Sequence, residues 1–281
     1  MSLFRPNIRL RSLFSPADAL ILLALFAFIY GLLGIGKEWT GILRPVVEID
    51  LSPWALPRYT AFSLFRGFAA YAISLLFTLA YGYTAAYVPK ADRILLPLLD
   101  ILQSIPVLGF LPGLVLTLVA IFPHSNLGLE LAAVLMIFTG QAWNMTFSFY
   151  SSLKTIPADL VDAAGIYRFG WWRRFTKLEL PYSSIGLVWN SMMSMAGGWF
   201  FLTVSEAFIL GTHDFRLPGI GSYMSVAINA GNLPAMISAI IAMTLMIVGV
   251  DQLFWRPVVA WSQKFKFEQT QSESVPHSAI L

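Results

Sequence analysis

Long apolar stretches, separated by short polar connections, dominate the pattern of the chain. A helix that crosses a membrane needs about 20 mostly apolar residues, and six stretches meet this requirement. They extend from Ala19 to Gly36, from Tyr59 to Val88, from Ile94 to Phe122, from Leu127 to Tyr150, from Tyr182 to Gly211 and from Pro234 to Trp255. The pattern predicts an all-α integral membrane protein with a six-helix transmembrane domain at residues 19–256.

The third stretch differs from the others in its proline content. Pro97, Pro106 and Pro112 each remove a helical hydrogen bond. Irregular backbone is tolerated at membrane depth only where protein buries it or where it lines a cavity. We therefore expect the third span to be bent or broken where protein buries it.

Composition supports a membrane location. Apolar and aromatic residues make up 57% of the 281 residues, charged residues make up 12%, and the mean hydropathy is +0.71. A soluble domain carries about 25% charged residues, so this chain could not cover a soluble globule. The composition excludes a soluble enzyme, a disordered tail and a nucleic-acid-binding domain. The absence of cysteine excludes disulfides and thiol catalysis.

The distribution of Lys and Arg predicts the topology. Thirteen lie in the N-terminal segment, in the connections at 89–93 and 151–181 and after the last span, whereas four lie in the opposite connections. Basic connections stay in the cytoplasm, so both termini are expected there. Residues 1–18 form the N-terminal segment, and 257–281 form a tail or the start of a linker. The first stretch is predicted to be a retained helix, because its apolar run is too long for a signal peptide.

Motifs for catalysis or nucleotide binding are weak. Residues 31–38 nearly match a phosphate-binding P-loop, but Glu38 stands where the motif requires Ser or Thr. The three His residues lie on separate connections or the tail, and no acidic pair or Ser, His and Asp set has a catalytic spacing. We expect a non-catalytic chain without a metal or cofactor of its own.

The connection at 151–181 is the only long one between spans on the predicted cytoplasmic side. Pro157 is suited to starting a helix, and Ala163, Ala164 and Gly165 give that helix a nearly smooth patch. Three aromatic residues interleaved with basic ones follow: Trp171, Trp172, Arg173, Arg174, Phe175 and Lys177. Two interpretations use these residue types. One is an element that docks on a partner protein, and the other is an amphipathic helix on the membrane surface.

This connection resembles the Glu-Ala-Ala motif of ABC importer permeases. The matching residues are Asp162-Ala163-Ala164 and the closing Leu180-Pro181. Asp162 replaces the usual Glu, and Arg168 stands where the family has a Gly that allows a turn between two short helices. The turn is therefore expected to shift to Gly165 or Gly170.

Other stretches resemble one branch of that family. Residues 98–112 are similar to the third-span signature of the nitrate, sulfonate and taurine branch, and 205–207 and 217–221 to the end of its fifth span and the following loop. The chain is also similar to the first half of tandem permeases. The resemblance covers about residues 60–260.

The resemblance implies a set of partners and a location. The chain would be the permease of an ATP-driven importer in a bacterial inner membrane, surrounded by lipid. It would pair with a second permease unit, either another copy or the second half of a tandem chain, and work with cytoplasmic ABC ATPase subunits and an extracytoplasmic substrate-binding protein. ATP and Mg²⁺ would be bound by the ATPase. The implied substrate is a small anion of the nitrate, sulfonate and taurine class. The implied ATPase-docking residues are Asp162, Ala163, Ala164, Gly165, Arg168, Trp172, Phe175 and Pro181.

Polar residues inside the spans are candidates for the substrate path. Ser191, Ser194 and Gly198 fall within roughly 60° on one helix face, although such small residues also occur where membrane helices pack. Charged groups inside a membrane normally face protein or water. The further candidates are Arg66, Asp100, Gln103 and Glu206.

Arg66 has two interpretations, because it either attracts an anion in the path or pairs with a carboxylate such as that of Glu206. A further charge, Glu130, lies near the end of a span and is expected to reach water. Asp100 and Glu206 within spans also motivate an ion-coupled secondary transporter. A membrane enzyme or scaffold is the third possibility.

Overall fold

The computed structural model describes residues 33–34, 36–37, 39–40, 47–210 and 213–266. Of the predicted first span, only residues 33, 34 and 36 are among them. The N-terminal segment at 1–18 and residues 267–281 of the predicted tail lie outside the described residues.

Helices make up nearly all of the described chain. Ten α-helices occur in it: α1 (Leu56–Tyr87), α2 (Asp92–Ser104), α3 (Val107–Ile121), α4 (Leu127–Lys154), α5 (Ala158–Ile166), α6 (Trp171–Arg174), α7 (Leu180–Glu206), α8 (Ile220–Asn229), α9 (Leu233–Val250) and α10 (Arg256–Ser262). The described strands, β1 (Ile209–Leu210) and β2 (His213–Asp214), form one short antiparallel pair. Short 3-10 turns, Pro53–Ala55 and Gln263–Phe265, precede α1 and follow α10.

Two described helical segments, Pro53–Tyr87 and Leu233–Phe265, are long and apolar enough to cross a membrane. The pair α2 and α3 gives a third if it counts as one span, and its two helices meet at an angle of 91°. The break lies at Pro106, which precedes α3 in an extended conformation. This bend confirms that the third stretch is broken, but Ser104, Ile105 and Pro106 at the break are exposed in the described chain, so the expectation that protein buries the break was wrong for the single chain. The count of six spans stays a prediction.

The helix α4 packs between α1 and α7. It contains 28 residues and is therefore about 42 Å long, which is enough to cross a bilayer. Its side chains include the completely buried Met136 and Phe149, and its Thr146 hydroxyl lies 3.0 Å from that of Thr78 on α1. Because protein surrounds α4, polar residues are tolerated along it.

Two π-helical turns, Phe175–Glu179 and Asp251–Trp255, interrupt the long helices. In both, the residue before a proline donates its N–H to the carbonyl five residues earlier. The turns lead into Pro181 and Pro257, whose missing N–H would otherwise break the hydrogen-bond ladder. The helical path therefore continues from Trp171 to Glu206. Pro181 lies inside this run and does not end the element that precedes the fifth predicted span.

The fifth predicted span ends earlier than expected. The helix α7 stops at Glu206 because the backbone at Ile209–Leu210 pairs across to β2 instead of continuing the helical ladder. After this hairpin comes α8, which the sequence analysis did not predict. Its Ile220 and Tyr223 side chains are completely buried, and Tyr223 also donates its hydroxyl to the carbonyl of Leu51 at 2.8 Å.

Candidate functional site

The segment 158–174 forms two short helices joined by a tight turn. The helix α5 ends in a Schellman motif, in which the Phe169 N–H donates to the carbonyl of Ala164 and the Arg168 N–H to that of Gly165, both at 2.9 Å. These bonds satisfy carbonyls at the helix end. Arg168 occupies the left-handed position of this motif, with a φ of 51°. Glycine adopts this conformation far more easily than arginine does.

The turn thus stands at Arg168 itself, where the permease motif has Gly. The expectation that it shifts to Gly165 or Gly170 was wrong, because Gly165 lies within α5 and Gly170 has a φ of −64°. The side chain at the family's Gly position has changed, but the backbone still turns at that position.

Aromatic contacts attach α6 to the last turns of α1. The rings of Trp171 and Phe175 stack at 6.1 Å, and Tyr83 of α1 meets them edge-on at 6.2 and 5.7 Å. Arg174 donates to Glu179 at 2.7 Å, and its guanidinium lies 5.2 Å from the ring centre of Tyr87. These contacts hold α6 and the start of the π-helical turn against the last turns of α1.

Partial burial lowers the pKa of Arg174, but its contacts outweigh that effect. The hydrogen bond and charge interaction with Tyr87, together with the Glu179 carboxylate, raise the pKa of Arg174 above its usual value. Arg174 therefore stays charged and keeps holding the start of the π-helical turn.

The predicted docking residues differ in accessibility. Asp162, Gly165, Arg168 and Trp172 are exposed, Ala163, Phe175 and Pro181 are partly buried, and Ala164 is buried. The exposed residues Asp162, Gly165–Arg168, Trp171 and Trp172 are called the α5–α6 surface below. It includes large apolar side chains, with Tyr167 74% and Trp172 63% exposed. A pocket of about 540 Å³ opens between the two helices, lined in part by Asp162, Gly165 and Arg174.

The predicted path residues fall into two environments. Ser191, Ser194 and Gly198 on α7 are buried inside the single chain, and a Cβ on Gly198 would lie 2.6 Å from Nε2 of Gln141 on α4. Their burial fits the alternative of helix packing. Asp100 lies on the open face of α2. It accepts a hydrogen bond from Gln103 at 2.6 Å, and both residues are exposed.

A buried ion cluster brings together residues that are far apart in the sequence. Arg66 of α1 forms two hydrogen bonds with Glu130 of α4, Nε to Oε2 at 2.5 Å and Nη2 to Oε1 at 2.6 Å. Its Nη1 donates to Glu206 of α7 and to the carbonyl of Pro218, both at 2.8 Å. At most 1% of any of these charged side chains is exposed.

The Glu206 carboxylate also reaches the start of α8. It accepts a hydrogen bond from the Ser63 hydroxyl at 2.7 Å and from the Gly221 N–H at 2.8 Å. Ser63 in turn accepts the Ile220 N–H at 3.0 Å. Arg66, Glu130, Glu206 and Ser63 are called the charge cluster below.

The charge cluster decides between the alternatives for Arg66 and Glu130. The predicted pairing of Arg66 with Glu206 is confirmed by the 2.8 Å contact. The expectation that Glu130 reaches water was wrong, because Glu130 is completely buried against Arg66. The contact between Arg66 and Glu130 was missed. The available signal was that both are ionised residues inside apolar stretches, which normally find a partner.

Comparison with known proteins identifies the family. The sequence profile of the binding-protein-dependent transport system inner membrane component matches residues 78–254. The chain belongs to this family. The matched region runs from α1 to the π-helical turn after α9, so it includes the α5–α6 surface, Glu130 and Glu206, whereas Arg66 precedes it. Among curated proteins, no sequence matches the permease.

Solved structures show the same fold. Two matches are inward-facing conformations of the MetNI methionine ABC transporter, one from a native crystal form and one from a selenomethionine soak. Their TM-scores are 0.62 and 0.61. Each is 18% identical and covers 74% of the permease and 96% of the matched chain. Family and fold together identify the chain as the permease component of an ABC importer, and they do not favour an ion-coupled secondary transporter.

Proposed function

We propose that the permease encloses a substrate path together with a second permease unit and carries the motion of a cytoplasmic ATPase through the α5–α6 surface. In this proposal the end of the molecule with α5 and α6 faces the cytoplasm, as do both termini. An extracytoplasmic binding protein delivers the substrate at the opposite end. ATP and Mg²⁺ belong to the ATPase, and this chain performs no catalysis.

The observation that supports docking is an exposed surface on a rigid base. The α5–α6 surface presents aromatic and basic side chains next to a position without a side chain, which is the composition of an interface core. The contacts of α6 with Tyr83 and Tyr87 give it a direct connection to α1, and the continuous helix through Pro181 connects it to α7. The segment is therefore both exposed to a partner and held firmly by two long helices.

The alternative role of this segment, a helix lying on the membrane, applies mainly to α6. Trp171 and Trp172 are about 60% exposed and are followed by Arg173, which suits a membrane interface. The helix α5 carries Asp159 and Asp162 on exposed positions, and acidic groups bind poorly to anionic lipid. We therefore assign α5 and the turn at Arg168 to the ATPase contact.

A substitution at Gly165 tests the docking role. A Cβ there would meet no other atom within 4 Å and Gly165 is exposed, so Gly165→Trp adds bulk at the surface of the chain. Ala164 is unsuitable, because it is buried against its own chain. The matched control is Gly170→Trp, since Gly170 is also exposed and free of close neighbours.

The readout is the amount of ATPase subunit that copurifies with the tagged permease from its native membranes. We expect Gly165→Trp to lower copurification and ATP-driven uptake at least tenfold, because an interface core tolerates little added volume. The control should retain most of both. Equal copurification of both variants and the unaltered permease would contradict docking through α5.

The substrate path is proposed to run along α2. Asp100 and Gln103 are exposed in the single chain although they lie in an apolar segment, and such groups require water or a partner at membrane depth. A second unit facing them would enclose them.

The small-anion substrate class is supported only by the sequence resemblance, since Arg66 is already neutralised by two carboxylates. Competition of nitrate, taurine and methionine for uptake into vesicles containing the assembled importer would separate this class from that of the methionine transporter.

A further inference from the structure

The charge cluster joins four helices at one point. Arg66 and Ser63 lie on α1, Glu130 on α4 and Glu206 at the end of α7, and their hydrogen bonds extend to Ile220 and Gly221 at the start of α8. The nearest contact of α1 with the α5–α6 region is at Tyr83 and Tyr87. The 21 residues from Arg66 to Tyr87 correspond to about 31 Å along the helix. The charge cluster is therefore remote from the proposed docking surface.

The buried charges of the cluster compensate one another, so each charged side chain is needed to keep the others stable inside the protein. One guanidinium faces two buried carboxylates, which leaves one negative charge in excess. The N-terminus of the ten-residue α8 supplies about half a positive charge, and its first two N–H groups point at Ser63 and Glu206. Moving α8 away would leave the Glu206 charge less well compensated inside the protein, which is costly.

The backbone between α7 and α8 is shaped to fit this carboxylate. Gly219 lies so close to the Glu206 carboxyl group that a Cβ at this position would collide with all three of its atoms. The Ser222 hydroxyl lies within hydrogen-bond distance of two backbone carbonyls, that of Glu206 at the end of α7 and that of Leu217 in the connection, and can donate its single hydrogen to either. The connection is thus packed directly onto the charge cluster.

The helix α7 provides a physical route from the docking surface to the cluster. Its helical path begins at Trp171, next to the α5–α6 surface, and ends at Glu206 within the charge cluster. Because a continuous helix transmits displacement along its axis, a movement of α6 shifts Glu206. The hydrogen bonds of Glu206 then determine whether α8 follows.

We infer that the charge cluster locks α8 and the preceding connection to α1, α4 and α7, so that ATPase-driven movement reaches the far end of the permease. Arg66, Ser63 and Glu206 act as positioning residues in this inference, which rests on the proposed docking of the ATPase. Weakening the lock lets α8 open independently of the bundle. The importer then hydrolyses ATP with less uptake.

Ser63→Ala is the variant best suited to a test. Replacing Arg66 by Gln would strand two buried carboxylates, and such a chain is at risk of not folding. Ser63→Ala removes one hydrogen-bond bridge between α1 and α8 and leaves all charges in place. Thr78→Ala is the matched control: it also removes a completely buried hydroxyl of α1, but its partner is Thr146 on α4.

Two measurements distinguish a role in holding α8 to the other helices from a general contribution to the stability of the fold. The chain has no cysteine, so Ala227→Cys places a single thiol on the completely buried face of α8. Its reaction with a maleimide in the assembled importer reports the opening of α8. The second readout is the number of substrate molecules taken up per ATP hydrolysed, measured with the chain that lacks this cysteine.

Of the two hydrogen bonds that Ser63→Ala removes, the one from the Ile220 N–H joins α8 directly to Ser63. We expect the loss of that bond to accelerate the thiol reaction about five- to tenfold and to lower uptake per ATP. Thr78→Ala should change neither by more than about twofold, within the scatter of such contributions. Equal effects of both variants, or faster labelling with unchanged uptake per ATP, would overturn the inference. ATPase copurification is measured in parallel, because its loss would instead indicate a failure of docking.

Discussion

The left-handed backbone at Arg168 leads to a prediction about the free energy of unfolding, in which the effect of the backbone conformation can be measured apart from that of the arginine side chain. A non-glycine residue in this region costs about 1–2 kcal/mol because its Cβ approaches the following carbonyl, and glycine avoids this cost while losing more freedom on folding. The φ of 51° and the two 2.9 Å bonds of the Schellman motif define the conformation that must be kept. Glycine at position 168 should therefore stabilise the turn.

Comparing two variants isolates this effect. Arg168→Gly and Arg168→Ala both remove the exposed guanidinium, so their difference reports the backbone alone. We expect the glycine variant to be more stable than the alanine variant by about 1 kcal/mol, the steric gain less the entropy of glycine. The assay is equilibrium unfolding of the purified chain in mixed micelles, followed by a reporter on α5.

The sign of the effect should reverse one turn earlier. Gly165 lies within α5 with free space around it, so Gly165→Ala should stabilise α5 by about 0.5–1 kcal/mol through helix propensity. If Gly stabilises the chain at position 168 and Ala stabilises it at position 165, then residue 168 has the left-handed backbone of the turn and residue 165 has the backbone of the helix. If Arg168→Ala matched or exceeded Arg168→Gly in stability, the left-handed turn at this position would be refuted.

Two further predictions concern packing and pH. Gly198→Val should destabilise the permease by about 1–3 kcal/mol by overpacking against buried Gln141, whereas the same change at exposed Gly197 should have little effect on thermal unfolding. Hydrogen bonds from the Arg216 guanidinium lower the pKa of Asp214 in the folded chain. These bonds therefore contribute fully to the free energy of unfolding above the pKa of an unfolded Asp, about 3.9, and the contribution is lost as the pH falls through the lower pKa of the folded state. The stability difference between the unaltered chain and Arg216→Gln should therefore shrink progressively as the pH falls below about 4, and a difference that does not change with pH in this range would contradict this assignment.

The sequence predicted the long helices because an apolar run of membrane-spanning length leaves a strong signal. The stretches near Tyr59 and Pro234 lie in helical segments long and apolar enough to cross a membrane, although the first begins already at Pro53 and the second continues to Phe265 instead of ending at Trp255. The prolines of the third stretch predicted its bend. The end of α7 was misplaced, because the apolar run continues through a hairpin that depends on pairing between separate residues. Apolarity alone does not distinguish these two conformations.

Site prediction found part of the charge cluster, because it paired Arg66 with Glu206 across two helices but missed Glu130, which lies against the same guanidinium. The motif around Ala163 marked the region of α5, but the sequence could not show that Ala164 faces inward, since this depends on how α5 lies against the remainder of the chain. In the same way, a serine stripe on α7 fits both a path lining and a packing face. The accessible polar pair on α2, Asp100 and Gln103, differs from that stripe only in the structure.

The distribution of charge along the permease supports a division of labour between its two ends. At the α5–α6 end, basic and acidic groups are largely exposed and, in the proposed function, are available to the ATPase, since exposed pairs are weak and exchange easily with other partners. At the other end, Arg66, Glu130 and Glu206 are completely buried and are satisfied by one another and by backbone groups, an arrangement that is costly to open. In the proposed function both properties are needed: an exposed surface that adapts to the ATPase at α5 and α6, and a rigid connection between helices at the charge cluster. The helical path through α6, its π-helical turn and α7 is the element that meets both regions.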